Sequence, residues 1–344
     1  MFLIDTTRNG KPLYDPLVNQ SLDNYLLQTK RLQGHGLIIY INHPAVIIGV
    51  HQNAYAEVDL PYLRAHKIDL VRRSSGGGAV YQDYGNIIFE NIVVNDPTAQ
   101  VDNYQAIGAP ILSALHDLGV PQAQLSGRND LVIDGQKFCG MTMVKTGDSY
   151  AAGGTIMFDL NQEQARQVLT PNQEKLQSKG VKSVDKRITN IKPYLSSQYR
   201  DWTGEDFKNY LLCHMFGVDK IKQIETYHLT DDDWQNIDDA LAAKYTTEEW
   251  NYGKNPGYHD YVSHHFDIGT VAFNYTVTNN QITHCQIYGD FITKGDVEVI
   301  DQHLLGVKYD YDSLVEALRQ SDLEHNLGKI TPEAVANLIL KKYE

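Results

Sequence analysis

Three cysteines are all that 344 residues contain, and Cys139, Cys213 and Cys285 stand far apart. An odd, scattered set gives neither a disulfide framework nor the paired C-x-x-C of a zinc or redox site. Positive charge is also scarce. Thirty Lys and Arg face 43 Asp and Glu, a formal net charge of −13. That balance argues against general binding to nucleic acid or to an anionic membrane, both of which need a basic footprint. No apolar run approaches the roughly 20 residues that span a bilayer. The longest, Leu37 to Val50, is interrupted by Asn42, His43 and Pro44. The opening MFLIDTTRNGKP has no basic lead and reaches Asp5 after four residues, too short an apolar stretch for a secretory signal. A reducing cytoplasm is the expected location. His259, His264 and His265 have no further acidic or cysteine ligand at metal-binding spacing, so they do not predict a zinc site.

What is present is an ordinary globular composition, 42% hydrophobic with 26 glycines, on a chain long enough for a large domain and a smaller one. Helical spacing of Leu17, Leu22, Tyr25, Leu26 and Leu32 predicts a helix over residues 17–33. The β-branched runs GLIIYIN and AVIIGV, bracketed by Gly36, Pro44 and Gly49, predict buried strands. Asp59 can cap a short helix ahead of a strand at Ile68 to Val71. A strand at Ile87 to Val94 and a helix at Asn103 to Leu118 follow. From Asp130 to Leu160 the pattern is consecutive antiparallel strands, with a tight turn at Asp134 and Gly135. No β-α-β crossover is required, so a mixed sheet in an α+β architecture is expected. Helices are predicted at 203–216 and 231–244. The segment NYGKNPGYH gathers Gly253, Pro256 and Gly257, and a domain boundary is placed there, giving 1–253 and 254–344. Beyond it, Asn279 and Asn280 mark a hairpin, and helices at 310–319 and 332–342 complete a small α+β unit.

Three short segments can carry chemistry. Gly76, Gly77 and Gly78 let the backbone approach a ligand and aim N–H groups at an anion, with Arg72 and Arg73 nearby as charge. The run matches neither a P-loop nor G-x-G-x-x-G, and by itself it is more often a turn. Gly127, Arg128, Asn129 and Asp130 offer a cation, an amide and a carboxylate just before a strand. Then Asp134-Gly135-Gln136-Lys137 puts a lysine on a rigid hairpin, where a point charge can neutralise a carboxylate and a phosphate as they react. A lysine at such a place is also commonly just solvated. The stretch with Lys175, Lys179, Lys182, Lys186, Arg187 and Lys192 contains only Asp185 as an acid, and reads either as a solvated face or as a local basic docking patch.

In order along the chain, RRSSGGGAVYQDYGN, SGRNDLVIDGQKFCG, GGTIMFDLN, KLQSKGVKSVDKRITN and EEWNYGKNP resemble the lipoate-protein ligase family. The resemblance implies a catalytic domain of the biotin/lipoate ligase type with an accessory C-terminal domain. It implies two steps: lipoate and ATP, with Mg2+, give lipoyl-AMP, and the acyl group then passes to a lysine of an acceptor. Expected acceptors are an E2 lipoyl domain or a glycine-cleavage H protein, or an H-like protein. By matching motif positions, Arg73, Ser75, Gly76, Gly77, Gly78, Asn86, Gly154 and Thr155 would line the adenylate pocket. Asn129 and Asp130 would reach the nucleotide, Asp130 through magnesium, and Lys137 would be catalytic. Lys179, Lys182 and Lys186 would dock the acceptor.

The sequence departs from the pattern at Gln82 and Gly153, where the family's motifs carry histidines, and in the Cys139, Gly140, Met141 and Thr142 that follow Phe138. Two rivals follow. A transferase of the same fold would use a cysteine thioester, and strand alternation predicts Cys139 on the same side as Lys137. A catalytically weakened protein would hold lipoyl groups without turning over ATP.

Overall fold

The computed structural model describes residues 1–96, 103–146, 149–170, 188–253 and 260–343. Its centre is an eight-stranded mixed sheet ordered β11-β1-β2-β6-β10-β9-β8-β7. The strands are β1 Phe2–Asp5, β2 Gly34–Tyr40, β6 Asn86–Val94, β7 Gln124–Ser126, β8 Asp130–Ile133, β9 Gln136–Thr146, β10 Ser149–Met157 and β11 Thr226–His228. β1 pairs in parallel with both β2 and β11, and from β2 onward each successive pair, β2-β6, β6-β10, β10-β9, β9-β8 and β8-β7, is antiparallel. A second sheet, β4-β3-β5, is built from β3 Ala45–Ile48, β4 Asp69–Arg72 and β5 Val80–Gln82. The runs GLIIYIN and AVIIGV are therefore strands, as their composition predicts, but of different sheets.

Helices cover both faces of the large sheet because its strands are apolar on both. On one face, Ile107, Ile111 and Leu115 of helix Tyr104–Asp117 and Phe207 and Leu211 of helix Gly204–Phe216 pack onto Leu37, Ile39, Ile87 and Phe89. On the other, Leu22 of helix Pro16–Tyr25 and Ile237 of helix Asp231–Ala240 meet Ile38, Tyr40, Ile88 and Ile92. Each fully buried side chain of this size contributes roughly 1.5–3 kcal/mol. Capping follows the sequence. Asp15, Asp59, Asn103 and Thr203 accept the first free N–H groups of their helices, and Thr203 forms a capping box with Asp206. The helix expected over 17–33 is shorter: a wider turn at Leu26–Lys30 ends it, and Arg31 turns left-handed at φ 48°. Asp134 and Gly135 both have positive φ, as a two-residue hairpin turn requires, and so do Asn279 and Asn280.

The C-terminal region has its own core. β12 Asp260–Phe266, β13 Gly269–Thr278 and β14 Gln281–Gly289 form an antiparallel sheet. Phe273, Tyr275 and Ile287 of this sheet pack against Leu314 and Leu318 of helix Tyr311–Gln320 and Val335 of helix Pro332–Ile339. It meets the rest of the chain where Phe291 stacks on His51 at 5.0 Å and the Gly289 N–H donates to the His51 carbonyl at 2.9 Å.

Candidate active site

Antiparallel register lines up the wall of a cavity. Across β2, β6, β10 and β9 one row reads Tyr40, Ile88, Thr155 and Gly140, with Asp130 of β8 continuing it behind the wall, and the next reads Glu90, Gly153 and Thr142. Facing this wall are helix Pro16–Tyr25 and the glycine loop after β4, which enclose about 400 Å³. Of the residues singled out in the sequence, Arg73, Ser75, Gly76, Gly77, Gly78, Asn129, Lys137, Gly154 and Thr155 line this cavity. Asn86 and Asp130 do not appear on its wall. Asn86 closes a turn instead, its side-chain oxygen accepting from the Asp83 N–H at 3.1 Å. Asp130 stands behind Lys137, carboxylate to ammonium at 2.6 Å. Lys179, Lys182 and Lys186 lie outside the described residues.

The two arginines are not free charge. Arg73 donates to the carbonyls of Gly76, Gly78 and Ile47, so the glycine loop is wrapped around its guanidinium. Burial pushes it down to about 10. Arg72 donates to the carbonyls of Gly49, Val50, Gln52, Trp250 and Asn251 and ties three segments together away from the cavity. It therefore supplies no charge to a ligand, contrary to the expectation from sequence. Gly77 has φ +99°, a conformation open to glycine, and its carbonyl sits where a Cβ on Gly49 would be. A Cβ on Gly76 would meet the Phe291 carbonyl and lie 3.1 Å from the Ile292 Cα, so the C-terminal unit rests directly on the loop.

Lys137 is placed by its neighbours on three sides. Its carbonyl accepts from the Thr189 N–H at 2.9 Å, Asp130 holds its ammonium, and a Cβ on Gly140 would stand 2.5 Å from Nζ. Gly140 is thus the space the lysine lies over. Asn129 is held by its amide, which donates to the Met141 carbonyl at 2.6 Å. On the opposite side a buried chain of amides, missed in the sequence, fixes Thr155. Asn19 donates to Asn42 (2.7 Å), Asn42 to Gln82 (2.7 Å), and Gln82 to the Thr155 hydroxyl (3.2 Å). Gln82 has no titratable ring, but it keeps a donor and an acceptor in line. The signal was only three separate amides, which nothing in the sequence connects.

A model of the lipoyl protein ligase A/B catalytic domain matches residues 15–216, and one of the bacterial lipoate protein ligase C-terminus matches 255–339. The chain belongs to the lipoate-protein ligase family. Among its relatives, lipoate-protein ligase 2 of Staphylococcus aureus is 37% identical over 340 residues, covering 99% of this chain and 100% of that one. The fold is shared with P. falciparum LipL1 in complex with lipoate, at TM-score 0.70 and 21% identity, covering 92% of this chain and 93% of that one. It is also shared with lipoate-protein ligase A bound with ATP, at TM-score 0.57 and 21% identity, covering 73% and 98%. The α+β class and mixed sheet of a lipoate-protein ligase hold for this chain.

Within this lipoate-protein ligase fold the cysteine expectation is corrected. A bulge in the β8–β9 ladder pairs Val132 with Lys137 and Leu131 with Cys139, so alternation is broken between the two residues. Cys139 is wholly buried in the large core beside Leu131 and Ile156. Burial pushes its thiol up to about 12, well against thiolate, and Lys137 lowers it by less. A thioester route through Cys139 has no access to substrate. His264 and His265 are likewise spoken for by Tyr343, stacked at 4.3 Å, and the Thr270 hydroxyl at 3.1 Å.

Proposed function

We propose that the cavity takes lipoate and ATP, joins them as lipoyl-AMP with loss of pyrophosphate, and passes the acyl group to a lysine of an acceptor protein. The observation that supports this most is the meeting of Lys137, the glycine loop and Thr155 on one cavity in a chain of this family. Lys137 is the catalytic cation. Its charge stands against the carboxylate and α-phosphate as they approach, when negative charge is concentrated between them. Asp130 positions the ammonium, and the Gly76 to Gly78 loop, tied to Arg73, gives backbone N–H groups to the adenylate. Asn129 and Thr155 fix its other side. Holding both reactants in one cavity supplies much of the acceleration.

Magnesium enters as part of the ATP complex. Among the described residues no group of three or more acidic, histidine or cysteine side chains could hold a metal, and Asp130 is one carboxylate already bridged to Lys137. That donor set fits a hard ion that keeps its phosphate oxygens and waters, not a resident one. The chain divides at residues 253 and 254 into a catalytic and an accessory domain, and Ile292 of the latter completes the roof. The acceptor is an E2 lipoyl domain, a glycine-cleavage H protein or an H-like protein. The test is purified protein with ATP, magnesium, lipoate and each acceptor, followed by intact mass and pyrophosphate release. A lipoyl increment on one acceptor supports the reading, and absence of both products removes it.

A further inference from the structure

The amide chain behind Thr155 runs in one direction. Asn19, Asn42 and Gln82 are all buried, so each polar atom has to find its partner within the protein. At the inner end the Asn19 amide nitrogen also reaches the Leu13 carbonyl at 3.5 Å, a group that can only accept. Nitrogen rather than oxygen therefore faces Asn42, whose own oxygen takes that bond and whose nitrogen passes the next one to Gln82. Gln82 Nε2 then donates to the Thr155 hydroxyl oxygen. Every link donates toward the cavity. A chain ordered in this way has a surplus acceptor at one end and a surplus proton at the other. The acceptor is Asn19 Oδ1, buried with no hydrogen-bond partner among the described residues. The proton is that of the Thr155 hydroxyl, whose oxygen already accepts from Gln82.

The register of the sheet says where that proton can go. Thr155 lies opposite Gly140 in the β10–β9 ladder, and opposed residues share a face with Cβ positions roughly 5 Å apart. Gly140 is the space under the Lys137 ammonium. Hydroxyl and ammonium thus border one stretch of the cavity, and an oxygen anion held by the first is within reach of the second. Were the chain reversed, the Thr155 proton would be taken up by residue 82 and a lone pair would face the anion. None of the four side chains titrates, so the order does not change with pH.

We propose that Asn19, Asn42 and Gln82 are positioning residues, a one-way amide relay that keeps the Thr155 proton aimed at the acyl carboxylate beside Lys137 during adenylation. No proton moves along it. The inference rests on the ligase reading above and extends the working parts of the site to Asn19 and Asn42, which do not line the cavity.

The experiment reverses the relay without removing it. Gln82→Glu puts an oxygen where Nε2 stands, so Thr155 must donate to residue 82. Asn42→Asp does the same from one step further back, by turning the Gln82 amide over. Gln82→Met keeps the length and cannot donate, and it carries the test if a buried charge unfolds the acidic variants. ATP–pyrophosphate exchange with lipoate is followed against pH for the full-length wild type, these three variants, Thr155→Val, and each of the three combined with Thr155→Val. Loss of one hydrogen bond to a charged group implies a kcat lower by roughly ten- to hundredfold in Thr155→Val and in both acidic variants. Gln82→Met should lose several-fold. Relative to wild type the acidic variants should recover as pH falls, because a neutral carboxyl accepts with one oxygen and donates with the other, as the amide did. Thr155→Val should not recover, and the combined variants should be no slower than Thr155→Val alone. Wild-type exchange by Thr155→Val or by Gln82→Met overturns the inference, whether or not the acidic variants fold. So does a further loss when any of the three is added to Thr155→Val, or an acidic variant whose deficit is the same at every pH. These outcomes leave the ligase reading standing, whereas no exchange by wild type removes that reading and the relay with it.

Discussion

Replacing Lys137 by alanine separates catalysis from folding. The ammonium meets Asp130 at 2.6 Å, but the two side chains are 23% and 27% exposed, so water screens the pair and its contribution is about 1 kcal/mol or less. A loss of that size lowers Tm by roughly 2–4 °C in a domain of this length. Adenylation should fall far more. Removing one preorganised charge donor costs roughly a hundred- to thousandfold in rate. Arginine should not restore it, because a planar fork is wider than a point charge and Nζ already lies within 2.5 Å of where a Gly140 Cβ would stand. The assay is pyrophosphate exchange with lipoate beside thermal denaturation of the same preparations. An alanine variant with wild-type exchange would show that Lys137 does not touch the reacting atoms, and one that unfolds would show that the pair is structural.

Cys139→Ser should keep ATP-dependent ligation while losing stability, since a hydroxyl replaces a thiol in a fully buried core site; complete loss of ligation in a folded variant, together with a thioester trapped on wild type, would return the thioester route. Gly76→Ala should push the C-terminal unit off the glycine loop, because the new methyl meets the Phe291 carbonyl and the Ile292 backbone. Adenylation should drop while transfer from supplied lipoyl-AMP persists, as for a lid that excludes water; equal impairment of the two half-reactions would mark a general packing defect. Asp233 is 1% exposed and binds Lys30, Tyr25, Tyr227 and Thr230; burial pushes it up, but those partners together hold it below the carboxylate range. Asp233→Asn should cost roughly 3 kcal/mol. The wild-type contribution is complete above an unfolded value of about 4 and fades as pH falls toward the lower folded value. The gap between wild type and variant in urea midpoint should therefore narrow from pH 5 downward, and a constant gap would refute the assignment.

Period and punctuation made most of the long elements legible. Ile87 to Val94 is nearly β6, and Asp59, Asn103 and Thr203 mark the starts of their helices. The shortest strands were not. β1, β7 and β11 span four, three and three residues, too few to show an alternation, and they exist because a neighbouring strand offers pairing. β12 was missed as well, since its half-buried DYVSHHF follows a glycine-rich stretch and reads as polar. The site was legible as a set of motifs but not as contacts. Nothing in RRSSGGG says that Arg73 would spend its donors on its own loop, nor that Arg72 would face away. Cys139 failed for a nameable reason: a single-residue bulge is invisible to a rule based on parity, and it inverts every facing beyond it.

That bulge bears on a hazard of the proposed substrate. Lipoate carries a cyclic disulfide, and a thiolate within reach of it attacks one sulfur, opens the ring and leaves a mixed disulfide. A thiol exposed anywhere on the cavity wall would be open to that side reaction as lipoate enters and would trap the enzyme on its own substrate. Turning Cys139 inward beside Leu131 and Ile156 keeps the sulfur two residues from the lysine in sequence and out of its chemistry in space. Cys139 thereby adds no thiol to the cavity wall.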